Sequence, residues 1–376
     1  MKTAIVHDWL TGMRGGEKVL ESLCELFPDA DLFTLLHIPG AVSGTIEKRR
    51  IKTSFIQRLP FAKKRYRHFL PLFPLAVEGF DLKGYDLVIS SSHCAAKGVI
   101  PGPNALHISY IHSPMRYVWD MYGEYFGKAR GLSGLLIRLF AHYLRLWDSS
   151  SSCRVDFFIA NSNHVAKRIM RYYRRDSSVI YPPVDVSRFS IAERAPGDYY
   201  LIVSAFAPYK RLDIAIEAFN TLGKKLLIAG TGQEEKRLKA MAGKNIEFLG
   251  WKSDTEVAEL YRGCRALVFP GEEDFGITPV EAMACGRPVI AYGKGGALET
   301  VRGLNAPEGA GNNPTGIFFY EQTPLALQDA VEAFEADMRA FDPRLIRQAA
   351  MAFDKASFKE KIRKFIFDRC AEAGVK

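Results

Sequence analysis

Residues 269–291, F-P-G-E-E-D-F-G-I-T-P-V-E-A-M-A-C-G-R-P-V-I-A, leave the chain little choice of local structure. The apolar run 266–269 reads as a buried strand, and Pro270-Gly271 ends it. Thr278-Pro279-Val280-Glu281 reads as an N-cap, a proline at N1 and a glutamate at N3. Gly286 and Pro288 then stop the helix after about seven residues, and 288–292 reads as the next strand. A strand, loop, helix and strand in this order build a parallel sheet, which carries ligands at the carboxyl ends of its strands. At that end the N–H groups of Gly276, Ile277 and Thr278 lie along a helix N-terminus, an arrangement suited to a phosphate. Two carboxylates flank the turn. Glu281 alone would serve as a capping-box partner worth about 1 kcal/mol, and Glu273 alone as a solvated loop charge. A second acid eight residues before Glu281, across D-F-G-I, favours a pair that faces a ligand.

At 376 residues the chain is long enough for two cores, and 48% apolar with 25% charged residues is ordinary globular usage. The net charge of +9 is unevenly placed. Residues 1–190 hold 26 Lys/Arg against 16 Asp/Glu, whereas 191–376 hold 25 against 26. The first half is therefore expected to meet something anionic. Six scattered cysteines without a C-x-x-C pair fit a reducing compartment. The apolar opening 1–6 is cut short by His7 and Asp8, too soon for a signal peptide, and no run approaches the ~20 residues that span a bilayer. The expectation is a cytoplasmic protein, peripheral at most on the inner face of the cytoplasmic membrane.

Strands are expected at 2–6, 86–90, 106–111 and 199–204, with a turn at 12–16 and a helix over 17–26 carrying Val19, Leu20, Leu23 and Leu26 on one face. This alternation argues for two doubly wound α/β layers. Pro182, Pro183, Pro196 and Gly197 interrupt the pattern, and a late helix is expected over 357–373.

The segment 269–291 resembles the E-x7-E signature of the retaining glycosyltransferases of family 4, which have the GT-B fold. The resemblance extends over nearly the whole chain. It includes H-D-W-L-T-G-M-R-G-G (7–16), N-S-N-H-V-A-K-R-I (161–169), Y-P-P-V-D-V-S-R-F (181–189), Y-K-R-L-D-I-A-I-E-A-F (209–219), A-G-T-G-Q-E (229–234) and E-F-L-G-W (247–251). Within the family it is nearest to bacterial polysaccharide mannosyltransferases that use GDP-mannose. It implies two Rossmann-like domains facing a central cleft: an acceptor-side domain over 1–185, a nucleotide-sugar domain over 198–355, and a helix over 356–376 packing back on the first.

By this resemblance Glu273 contacts a hydroxyl of the transferred sugar, and Glu281 accepts hydrogen bonds from the ribose. Backbone at Gly250 and Trp251 meets the base. Lys210, beside Arg211, is the diphosphate cation, acting with the N–H groups of the loop Phe275, Gly276, Ile277 and Thr278. Gly15 and Gly16 approach the phosphates, and His112 touches sugar and phosphate. The chain departs from the family at Ala205, where an arginine usually stands five residues before the lysine. Arg14 and Arg116 are candidates to replace that cation. No cofactor and no metal are implied. Asp29-Ala30-Asp31 resembles a D-x-D metal site but follows Phe27-Pro28, where aspartates form turns. His7, His93, His107 and His164 read as structural.

The expected reaction is transfer of a hexose, mannose first, to a saccharide or polyprenyl-diphosphate-linked saccharide in bacterial surface polysaccharide synthesis. Alternatives are a UDP-sugar donor, a nucleotide-sugar epimerase or hydrolase on the same fold, and a non-catalytic membrane-associated binding protein. An NAD enzyme is disfavoured because neither Gly15-Gly16 nor Gly230-Thr231-Gly232 completes a G-x-G-x-x-G. Two basic segments interleave cations with apolar residues. Residues 47–74 carry nine Lys/Arg, and 134–147 carry Arg138 and Arg145 among leucines and aromatics. Each reads either as a surface helix with a core face or as a contact for an anionic membrane surface. Nucleic acid is not an expected partner, since no recognised binding motif accompanies the charge.

Overall fold

A computed structural model describes residues 1–127, 130–192, 195–305 and 313–375. The chain forms two compact units, one of Met1–Pro183 with Lys355–Lys376 and one of Val184–Asp354. Residues 193 and 194 of the proline-rich boundary, and 376 of the expected last segment 356–376, lie outside the described residues.

The first unit holds β1 (Thr3–His7), β2 (Asp31–Thr34), β3 (Ile51–Thr53), β4 (Leu87–Ser92), β5 (Leu106–Ile111), β6 (Phe157–Ala160) and β7 (Ser177–Val179). Their order across the sheet is β3-β2-β1-β4-β5-β6-β7, and every pairing is parallel. The central strands β1, β4 and β5 are buried along their whole length, as expected where helices cover both faces of a parallel sheet. Successive residues of β1 serve opposite cores. Ala4 and Val6 pack with Phe33, Val88 and Leu144. Ile5 packs with Leu20, Leu23 and Ile89 on the other side, where Phe358, Ile362 and Ile366 of the helix Lys355–Glu372 complete the layer.

The second unit holds β8 (Tyr199–Val203), β9 (Lys225–Ala229), β10 (Ile246–Gly250), β11 (Leu267–Phe269), β12 (Val289–Tyr292) and β13 (Gly316–Phe319). Their order is β10-β9-β8-β11-β12-β13, again all parallel. In each sheet the winding reverses beside the unit's first strand, between β1 and β4 and between β8 and β11. This is the doubly wound Rossmann-like order, and the carboxyl ends of those strand pairs are where such sheets hold ligands.

Two local expectations are corrected. Residues 15 and 16 do not belong to a turn; they open the helix Gly15–Leu26, and neither has a positive φ. The helix of the E-x7-E segment is Ile277–Ala284, with Gly276 at φ 87° as its N-cap. Thr278 and Pro279 therefore lie inside the first turn, and Glu281 is too far along to be an N3 capping partner. The glycine causes the shift, because its left-handed backbone turns the chain into the helix two residues early.

Candidate functional site

In the second unit the loops leaving β8 and β11 diverge at the reversal point. Backbone contact brings them together. A Cβ on Gly271 would lie 2.9 Å from Lys210 Cα, so only glycine lets the end of β11 seat against that residue. Lys210 Nζ forms an ion pair with Glu273 Oε1, with only 13% and 23% of the two side chains exposed. The Glu273 backbone is fixed in turn by Gly296, whose N–H donates to the Glu273 carbonyl at 2.8 Å. Gly276 then starts the helix Ile277–Ala284, and the first N–H groups of a helix have no partner within it. A cation, a carboxylate and a helix N-terminus thus meet at the carboxyl edge of the sheet.

Glu281 faces inward from that helix and is 7% exposed. It accepts a 3.0 Å hydrogen bond from Tyr261 Oη, which comes from the helix Asp254–Gly263. Burial, reinforced by the Glu281 charge, raises the Tyr261 phenol well above its usual range. Phe275 is buried against Phe353, ring centroids 5.5 Å apart. Arg211, at φ 51°, is the N-cap of the helix Leu212–Leu222 and lies 3.2 Å from Asp213. This pairing removes the need for an anionic ligand to explain its place at a helix start. Gly250 ends β10 at φ 70°, and Trp251 beside it is 75% exposed. Ala205 is exposed and supplies no cation. Tyr261 and the Gly295-Gly296 turn carry no signal in the sequence, because both act through residues distant in the chain.

In the first unit the carboxyl ends of β1, β4 and β5 gather His7, His93 and His112. Asp8 is wholly buried and accepts from four successive backbone N–H groups, those of His93, Cys94, Ala95 and Ala96, at 2.6–2.9 Å. His93 Nδ1 lies 3.1 Å from the same carboxylate. Ser91 Oγ lies 3.1 Å from His7 Nδ1 and 2.8 Å from His112 Nε2. Gly16 sits over both rings, since a Cβ there would stand 3.6 Å from His7 Cε1 and 3.7 Å from His112 Nε2. Burial, then the neighbouring histidines, holds His112 well below the usual imidazole range. Arg14 is exposed, with its N–H bonded to Glu17. Arg116 is half-buried, and its charge adds to the burial that lowers the His93 pKa.

His107 differs from the group around Gly16. Both its ring nitrogens are engaged at 2.9 Å, by Ser90 Oγ and by the Arg154 carbonyl, and burial pushes it down to about 4. Asp31 is held by Lys52 Nζ at 2.9 Å and by the Tyr85 hydroxyl. Among the described residues no group of His, Cys, Asp or Glu is arranged to hold a metal ion.

The helix Gly131–Ser150 resolves one of the two basic segments. It turns Gly134, Ala141, Leu144 and Trp147 into the core. On the opposite face Leu132, Leu135, Leu136, Leu139, Tyr143 and Leu146 are exposed, at spacings of three and four that make one stripe. In the other segment Phe61 is 77% exposed beside Lys63, Lys64 and Arg65. No helix among the described residues is long and apolar enough to cross a membrane.

Comparison with known proteins covers both units. Residues 13–188 match the family model described as Glycosyltransferase Family 4, and 184–350 match that of Glycosyl transferases group 1. The chain is 34% identical over 168 residues to an uncharacterized glycosyltransferase of Methanocaldococcus jannaschii, a match covering 43% of this chain and 47% of that one. It is 28% identical over 216 residues to alpha-1,3/1,6-mannosyltransferase ALG2 of Homo sapiens, covering 48% and 50%. The chain therefore spans about half the length of the curated relatives it matches. Among solved structures, sucrose-phosphate synthase of Thermosynechococcus elongatus aligns with a TM-score of 0.74 at 18% identity, covering 99% of this chain and 100% of that one. Anabaena HepE in complex with UDP aligns with a TM-score of 0.71 at 17% identity, covering 98% and 100%. At such identities the structures speak for the fold, and the two family matches, which run in succession from residue 13 to 350, speak for the lineage. The chain belongs to the glycosyltransferases with the GT-B fold.

Proposed function

We propose that the protein transfers a hexose, with retention, from a nucleotide diphosphate donor to a saccharide or polyprenyl-diphosphate-linked saccharide in bacterial surface polysaccharide synthesis. The observation that carries this reading is the meeting of Lys210, Glu273 and the N-terminus of the helix Ile277–Ala284 beside buried Glu281. Lys210 and the helix N–H groups would stabilise charge developing on the leaving diphosphate, which is electrostatic catalysis. Glu273 would accept from a hydroxyl of the moving sugar and Glu281 from the ribose, with the base near Gly250 and Trp251. His112, Gly15 and Gly16 are assigned to the sugar and phosphates, and the basic first unit to the acceptor. Mannose from GDP-mannose is the first candidate, supported by the ALG2 relatives named for mannosyl transfer. A UDP-sugar is the second, supported by the HepE complex with UDP.

A screen of nucleotide sugars by thermal shift tests the donor. The right one at 100 times its Kd adds about 2.7 kcal/mol to the folded state. The reading fails if no nucleotide sugar raises the melting temperature. Incubation of the donor without acceptor separates transfer from hydrolysis or epimerisation, either of which would consume or convert it rapidly.

The outer stripe of the helix Gly131–Ser150 supports a lipid-linked acceptor. Between Glu124 and Asp148 the chain has no acidic residue, while Arg130, Arg138 and Arg145 are basic. An apolar stripe beside cations suits an anionic bilayer surface, whereas pairing with a second copy would set cation against cation. The wild-type chain is expected to float with anionic vesicles at low salt. Leu139→Asp with Leu146→Asp should abolish flotation without lowering the melting temperature, because both side chains are exposed. Equal flotation of the variant refutes the docking face.

A further inference from the structure

One hydroxyl ties together two of the three imidazoles at the carboxyl ends of β1, β4 and β5. Ser91 Oγ, wholly buried, lies within hydrogen-bond distance of both His7 Nδ1 and His112 Nε2. A hydroxyl has one proton, so it donates to one ring and accepts from the other. The direction is decided at the far end of the chain of contacts. His7 Nε2 is buried, has no hydrogen-bond partner among the described residues, and stands 3.7 Å from Glu17 Oε1. That separation is longer than a hydrogen bond but within ion-pair range. Glu17 Oε2 accepts the Arg14 backbone N–H at 3.0 Å, a bond that favours the ionised side chain and leaves Oε1 facing His7. Glu17 is therefore a carboxylate, which repels a ring lone pair and attracts a ring N–H.

We propose that Glu17, His7 and Ser91 form a directed relay that fixes the tautomer of His112. His7 carries its proton on Nε2, towards Glu17. Ser91 donates to His7 Nδ1 and accepts from His112 Nε2–H. His112 Nδ1 is then left as an unprotonated acceptor. Among the described residues the His112 ring has one hydrogen bond, that to Ser91; the backbone N–H donates to the Ser92 carbonyl and the His112 carbonyl accepts from Asn161 Nδ2, so Nδ1 is open to a ligand. An acceptor nitrogen selects a hydroxyl over a phosphate oxygen, which has no proton to give, so of the two contacts assigned to His112 its Nδ1 can serve the sugar and not the phosphate. His112 is thus fitted to a hydroxyl-bearing ligand, which in the transfer reaction is a hydroxyl of a sugar. That last step rests on the function proposed above; the tautomer does not. Glu17, His7 and Ser91 are positioning residues, since they act on the ligand only through His112.

The tautomer can be read directly from the whole chain. With 15N-labelled histidine, long-range 1H–15N correlation distinguishes a protonated ring nitrogen from an unprotonated one, and His112→Gln assigns the signals. The expected spectrum has Nε2 protonated and Nδ1 unprotonated in both His7 and His112. Protonation of His112 at Nδ1 overturns the relay. Glu17→Gln keeps an acceptor for the Arg14 N–H but removes the charge, and both tautomers of His7 and His112 should then appear. A single unchanged tautomer there overturns the role of Glu17. Ser91→Ala should lower kcat by roughly tenfold or more while leaving nucleoside diphosphate affinity unchanged. Loss of affinity and kcat together would mark Ser91 as merely structural and overturn its role. If Ser91→Ala does not fold, the wild-type spectrum still decides. If the spectrum is as expected but His112→Gln transfers at the wild-type rate, the relay stands and the assignment of His112 to the sugar falls.

Discussion

Replacing Glu273 with glutamine should separate donor binding from transfer. In the free protein Lys210 is already paired with Glu273, so a diphosphate must compete for it. A hydrogen bond between charged groups contributes ~1.5–3 kcal/mol and a neutral one ~0.5–1.5 kcal/mol. The two side chains are 13% and 23% exposed, and solvent screening places the difference at the low end, about 1 kcal/mol. Glu273→Gln should therefore bind GDP or UDP about three- to tenfold more tightly, as Lys210 is released more readily. Turnover should move the other way, falling about a hundredfold, if the charge-assisted contact proposed between Glu273 and the moving sugar is lost. Calorimetric titration with the nucleoside diphosphate measures the first effect, and product formation at saturating donor measures the second. Weaker nucleotide binding by the variant would show that Lys210 is not held back by Glu273. Full turnover would remove Glu273 from the reaction.

Tyr261→Phe deprives buried Glu281 of one hydrogen bond and should destabilise the second unit by about 1–3 kcal/mol, several degrees in Tm, with the fold retained by circular dichroism. An unchanged Tm would mean that the bond contributes nothing. His107 makes stability depend on pH. Its folded pKa is depressed to about 4 by burial, so the unfolded chain takes up the proton first. The contribution is complete above the unfolded value of about 6.5, is lost as pH falls from there to about 4, and amounts to roughly 3 kcal/mol. Urea midpoints from pH 7.5 to 4.5 should fall less steeply in His107→Gln than in the wild type, and parallel curves would refute the assignment.

The alternation of buried strands and amphipathic helices is visible in the sequence because each element carries its own period. Relations between elements are not. Lys210 and Glu273 are far apart in the chain and meet only because β8 neighbours β11. T-P-V-E looks like a capping box, since the pattern is local, but the φ of Gly276 moves the helix start and frees Glu281 to turn towards Tyr261. Gly15-Gly16 reads as a turn because glycine is permissive, yet both residues adopt helix. The leucines of 131–150 are ambiguous in one dimension because the helix has two apolar faces, one in the core and one outside it. The link through Ser91 has no sequence signature, since a serine inside a buried strand is unremarkable until its neighbours are placed.

The helix Lys355–Glu372 has a consequence for the order in which the protein is made. The chain leaves the first unit at Pro183 and returns to it at Lys355, and Val184 and Asp354 pair at the two crossings. The second unit is thus an insertion whose ends are tied together. Because synthesis proceeds from the amino end and domains fold as units, the second unit has all its residues before the first does. The first unit must wait on the ribosome with the core layer of Ile5, Leu20 and Ile89 incomplete, until Phe358, Ile362 and Ile366 emerge to complete it. The half that starts first is the half that finishes last.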